Sequence, residues 1–132
     1  MNRRVAVTGL GAVAATGQDV ATLWRTLCDG TSGIAINPQQ GWPQARIEFD
    51  PTAHFSDREL PMLDRVSQFA LVAARQALRQ AGLAVADDRQ ALAQLAAHDI
   101  DPVRAGAVFS ASIGHQTLDD GYFNFYGRQA KR

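Results

Sequence analysis

The stretch Leu63–Leu83, LDRVSQFALVAARQALRQAGL, constrains the fold of this chain more than any other. Wound as a helix at about 100° per residue, it puts Val66, Ala70, Leu71, Ala73, Ala74, Ala77, Leu78 and Ala81 on one wide face. Asp64, Gln68, Arg75 and Arg79 fall on the opposite side, with Phe69 and Val72 at the margins. A face this broad predicts a helix pressed into a core along its length. The alanines on it let a neighbouring backbone come close, as a helix on a sheet requires. Gly82 is expected to end the helix in the left-handed conformation at C′, with Leu83 at C″ folding back on the last turn.

At 132 residues the chain is expected to form one domain, 1–132, long enough to bury a core. Its 13 basic residues balance 13 acidic ones, and no basic run is interleaved with aromatics, so nucleic acid and anionic membrane are not expected partners. The single cysteine excludes an internal disulfide and suits a reducing compartment. No apolar run reaches the ~20 residues of a membrane-spanning helix. Arg3 and Arg4 before the apolar run Val5–Ala15, with Ala12-Val13-Ala14 behind, imitate a secretory signal, but Thr8, Gly9 and Gly11 interrupt the run. The expected compartment is the cytoplasm.

Arg4–Thr8 is a β-branched run closed by glycine and predicts a buried first strand. Gly9-Leu10-Gly11-Ala12-Val13-Ala14 satisfies the G-x-G-x-x-G/A dinucleotide fingerprint, and Asp29 stands where such folds place the ribose-binding acid. That site needs a helix beginning at the glycines, its amides facing the pyrophosphate. Here Gly17 would fall inside such a helix, and the helical period starts only at Asp19, with Val20, Leu23, Trp24 and Leu27 forming a core stripe. Dinucleotide binding is therefore a minor alternative. Asp19 is the expected N-cap of the first helix and Gly30 its C′ residue.

Thr31–Pro43 reads as loop, and Ala45–Phe49 as a short edge strand with Ala45, Ile47 and Phe49 inward. Ser56 and Glu59 have capping-box spacing and open a helical turn before Pro61. Asp87–Ala97 is a weaker helical pattern on Leu92, Leu95 and Ala96. Asp101-Pro102 stops it, Arg104–Ser110 reads as a second buried strand, and Ala111-Ser112-Ile113-Gly114 as a tight turn. From Thr117 the chain is helical again, with Leu118, Tyr122, Phe125 and Tyr126 on one side. Strand, helix, helix, strand, helix is an α/β order.

Several of these stretches together resemble the N-terminal part of the β-ketoacyl-acyl-carrier-protein synthases, the condensing enzymes of the thiolase fold. Arg4-Val5-Ala6-Val7-Thr8-Gly9-Leu10-Gly11 is similar to the family's opening strand and turn. Gly17 through Ile34, including Gly30-Thr31-Ser32-Gly33-Ile34, resembles its first helix and the loop after it. Phe49-Asp50-Pro51 is a smaller match, and Asp64-Arg65 through Leu83 follows the family's helix almost position for position. Arg104–Gly114 resembles its next strand and glycine-rich turn, although Ser110-Ala111-Ser112 replaces the usual Gly-Thr-Gly or Gly-Ser-Gly and His115 a common glycine. The resemblance implies a thiolase-like layered α/β fold, present only as its N-terminal portion. It implies acyl transfer to a cysteine and decarboxylative Claisen condensation, in fatty acid or polyketide synthesis. No metal or nicotinamide cofactor is implied, and the expected partners are acyl carrier protein, acyl thioesters and a second subunit in a dimer. The family's nucleophile and its two histidines belong to sequence beyond Arg132, so the chain is expected to be the first third of such an enzyme. A non-catalytic, synthase-like interaction subunit is the alternative.

No residue of this chain is a catalytic candidate. Cys28 lies in the last turn of the first helix beside Asp29, where the negative pole of the helix dipole disfavours a thiolate, and it reads as a packed or half-buried structural thiol. His54, His98 and His115 are too scattered for a metal site. Asp119-Asp120 suits a helix start. The substrate-binding candidates are Ile113 and Gly114, because the resemblance implies that Ile113 lines the pocket for the growing acyl chain. A core isoleucine at a strand end is the plain alternative.

Overall fold

The long helix forms over Arg65–Gln80 (α2) in a computed structural model that describes residues 4–83, 98, 100–111 and 116–129. The C-terminal end is set by the glycine stop expected from the sequence, and the N-terminal end by Asp64, which the wheel had counted on the polar face of the helix. Asp64 Oδ1 accepts from the Ser67 amide at 2.8 Å, which caps the N-terminus. At the other end Gly82 takes φ 81°, and its amide donates to Arg79 O at 3.0 Å. The Leu83 amide donates to Leu78 O at 2.8 Å, completing a Schellman motif. The first helix, Val20–Cys28 (α1), ends the same way. Gly30 has φ 66°, its amide donates to Leu27 O, and the Thr31 amide donates to Thr26 O. Asp19 caps its start through both carboxylate oxygens, which accept from the Thr22 amide and hydroxyl, each at 2.8 Å.

The described residues divide into two compact units, Met1–Phe49 with Leu71–Ala107, and Asp50–Ala70 with Val108–Arg132. In the first unit the chain around Gly9–Ala12 is extended and lies antiparallel to the C-terminal half of α2. A Cβ on Gly9 would stand 1.9 Å from Ala77 O, and one on Gly11 1.8 Å from Ala73 O. Two residues of extended chain advance about 6.7 Å, and four residues of helix about 6 Å. Glycines at i, i+2 therefore match alanines at i, i+4, and two backbones touch where side chains would keep them apart. The intervening amides are satisfied by the helix: Leu10 N donates to Gln80 Oε1 at 2.6 Å, and Ala12 N to Gln76 Oε1 at 3.0 Å. The Gln76 amide nitrogen then donates to Gln18 O at 2.6 Å. One glutamine side chain thus spans the turn in which Ala14 and Gly17 exchange backbone hydrogen bonds.

The only described sheet is a two-stranded antiparallel hairpin, Ala35–Ile36 (β1) with Pro43–Gln44 (β2), pairing Ala35 with Gln44 and Ile36 with Pro43. It falls within the stretch predicted as loop. Gly41 at φ 77° lets the chain reverse, and the Asn37 carboxamide oxygen accepts from the amides of Gln39 and Gln40 at 2.8 and 3.2 Å. The predicted edge strand Ala45–Phe49 forms no described ladder, and its alternation holds only from Arg46 on: Ile47 and Phe49 are half-buried and Arg46 and Glu48 exposed, but Ala45, expected inward, is exposed as well.

In the second unit, Asp50 caps the 3-10 turn Pro51–Ala53, and Glu59 Oε2 reaches back to the amide and hydroxyl of Ser56 at 2.8 and 2.7 Å. The predicted capping box thus opens a turn that runs into a second 3-10 piece, Leu60–Met62, with Pro61 accommodated inside it. A last helix, Gln116–Gln129 (α3), carries Asp119 in its first turn, where a carboxylate suits the dipole. Tyr122 and Tyr126 lie one turn apart with ring centroids 4.4 Å apart. The pattern Asp87–Ala97 and the side chain of Leu118 lie outside the described residues.

Three sequence expectations fail on burial. Arg4–Thr8 and Arg104–Ser110 form no described strand, Arg104 closing the 3-10 turn Pro102–Arg104 instead, and Val5, Val7 and Val108 are 93%, 78% and 99% exposed. The α1 stripe is covered only in part: Val20 and Leu23 are half-buried, while Trp24 and Leu27 are exposed. On α2 the best-buried side chains are Val72 and Gln68, assigned from the sequence to the margin and to the polar side. The reason is shared. Periodicity says which face is apolar, but burial needs an opposing surface, and among the described residues only Phe55 and Val72 are buried apolar side chains.

Helices and a small sheet are consistent with α/β. So much uncovered apolar surface predicts that the isolated chain self-associates or melts without a sharp transition. Sedimentation across a concentration series, beside a melting curve, checks this; a cooperative monomer with a high melting temperature would contradict it.

The caps also carry a pH dependence. Hydrogen bonds from the Thr22 amide and hydroxyl hold the Asp19 carboxyl below its ordinary value of 3.8, and those from the Thr52 hydroxyl and amide do the same for Asp50. A carboxyl lowered in the folded state stabilises above the unfolded value and loses that contribution as pH falls through the folded one. Fraying at the start of α1, followed by NMR shifts of Val20–Thr22, is therefore expected to set in below about pH 4 and to be flattened by Asp19→Asn.

Candidate functional site

The glycines of the dinucleotide fingerprint do not open a helix. After Gly11 the chain forms no helix, turns at Ala14–Gly17, and enters α1 only at Val20. Gly9 and Gly11 face the backbone of α2, so the close approach that glycine permits is used for packing. Among the described residues no helix begins at these glycines to receive a phosphate.

Cys28 is the last residue of α1 and is exposed, not packed as the sequence suggested. It lies at the helix end whose carbonyls point outward. His54 follows the Pro51–Ala53 turn, with its ring 6.4 Å from that of Phe55. Among the described residues no three His, Cys, Asp or Glu side chains gather where a metal ion could sit. Ile113, Gly114 and His115 lie outside the described residues.

The structure does bring together a cleft that the sequence did not reveal. The turn Ala14–Gly17 and the start of α1 form one wall, and the hairpin with Arg46 and Glu48 forms the other, enclosing an open volume of about 750 Å³. Most of its polar groups are occupied in holding the loops. Asp19 is bonded to Thr22, the Gln18 amide donates to Glu48 O, and Asn37 Nδ2 donates to Gln44 Oε1 at 2.8 Å. Its lining includes no cysteine, serine or histidine. Its one sequence signal was the Asn37-to-Gly41 turn chemistry, which was read as generic loop.

Residues 2–116 match the family described as "Beta-ketoacyl synthase, N-terminal domain". The tetracenomycin polyketide synthase ketoacyl synthase beta subunit of Streptomyces glaucescens is 42% identical over 86 residues, covering 60% of this chain and 21% of that protein. The 3-oxoacyl-[acyl-carrier-protein] synthase 2 of Staphylococcus aureus is 33% identical over 94 residues, covering 66% and 23%. Nodulation protein E of Rhizobium meliloti is 33% identical over 89 residues, covering 63% and 22%. The chain spans about a quarter of the length of the curated relatives it matches. With the family matched over nearly the whole sequence, and the fingerprint glycines packed on α2, the chain belongs to the beta-ketoacyl synthase N-terminal domain family.

Proposed function

We propose that this chain is the N-terminal part of a condensing enzyme that makes 3-oxoacyl thioesters in fatty acid or polyketide synthesis. The family match over residues 2–116 carries this reading. In the complete reaction an acyl group passes from a carrier thioester to an enzyme cysteine, releasing the carrier thiol. A malonyl thioester then loses carbon dioxide, and the resulting carbanion attacks the acyl-enzyme carbonyl. That step forms the carbon–carbon bond and frees the cysteine. Cys28, exposed at a helix C-terminus, is not the nucleophile in this reading, so the reaction belongs to a complete synthase. Among the described residues no helix is long and apolar enough to cross a membrane, and we place the protein in the cytoplasm. Its partners are acyl carrier protein and a second synthase subunit, and the fold completed around α2 is the layered thiolase type. Ile113 and Gly114 form part of the acyl pocket.

The test uses the complete gene product with acyl- and malonyl-carrier thioesters. Carbon dioxide release with formation of the 3-oxoacyl product is the expected result. A folded, carrier-binding product without condensation would move the reading to a non-catalytic subunit. Saturable binding of a dinucleotide would overturn it.

A further inference from the structure

We draw no further inference here: the strongest candidate, the exposed aromatic face of α3 formed by Tyr122, Phe125 and Tyr126, is an unpartnered apolar surface, and nothing in the structure shows what covers it.

Discussion

In the complete synthase, Gly11→Ala is expected to lower the melting temperature sharply, and Gly9→Ala to act almost as strongly. The added methyl carbon would stand 1.8 Å from Ala73 O in the first case and 1.9 Å from Ala77 O in the second. Both obstacles are helix backbone, which cannot swing aside as the end of a side chain can. Overpacking of a core by a methylene costs about 1–3 kcal/mol. Here relief requires moving the extended segment off the helix. That would also break the Leu10–Gln80 and Ala12–Gln76 hydrogen bonds, each worth roughly 0.5–1.5 kcal/mol. The summed loss is about 2–6 kcal/mol, whose upper end reaches the ~5 kcal/mol at the low end of domain stabilities. Gly121→Ala is the control: it lies within α3, where a Cβ meets nothing within 4 Å, and alanine is favoured over glycine by about 1 kcal/mol in a helix. Thermal unfolding followed by far-ultraviolet circular dichroism separates the two. An unchanged transition in Gly11→Ala would mean that the segment and the helix are not in backbone contact.

In a complete synthase, Ile113→Phe is expected to shorten the longest acyl chain accepted. This rests on the proposed pocket role of the Ser112-Ile113-Gly114 turn. The ring volume would fill the far end of an apolar tube, and one methylene in such a pocket is worth ~1–3 kcal/mol, or roughly ten- to two-hundred-fold in selectivity. Turnover on the shortest acyl groups is expected to survive, because the proposed role puts the side chain at the far end of the pocket, away from the reacting atoms. A plain core isoleucine makes a different prediction, a loss of about 1–3 kcal/mol in stability with activity falling alike at every chain length. A chain-length series measured beside the melting curve distinguishes the two. Uniform loss with a lowered melting temperature would leave Ile113 as packing.

Local chemistry was legible wherever partners lie within a few residues. Asp19 and Gly30 around α1, Gly82 after α2, and Ser56 with Glu59 all act at the positions their identities announce, whereas Asp64, placed by the wheel on the polar face, caps α2 instead. Each such motif closes its own hydrogen bonds locally, so sequence spacing is enough to find it. The family was legible too, because many weak matches in one order constrain a fold more than any single motif does.

What the sequence could not supply was the identity of distant partners. Gly9-Leu10-Gly11 carries a pattern that suits a pyrophosphate as well as a helix backbone, since both need only the absence of a Cβ. The tertiary structure decided between them by bringing Ala73 and Ala77 against the glycines and turning Gln76 and Gln80 onto the free amides of Leu10 and Ala12. Those glutamines sit on α2 near residues that periodicity marks as polar, and only the neighbouring strand gives their amides a task. Burial followed the same logic. A helical wheel ranks faces by polarity, whereas exposure is set by what lies opposite. Val72 is therefore buried at the margin of the apolar face, while Val5, Val7 and Trp24 are apolar, in regular patterns, and exposed.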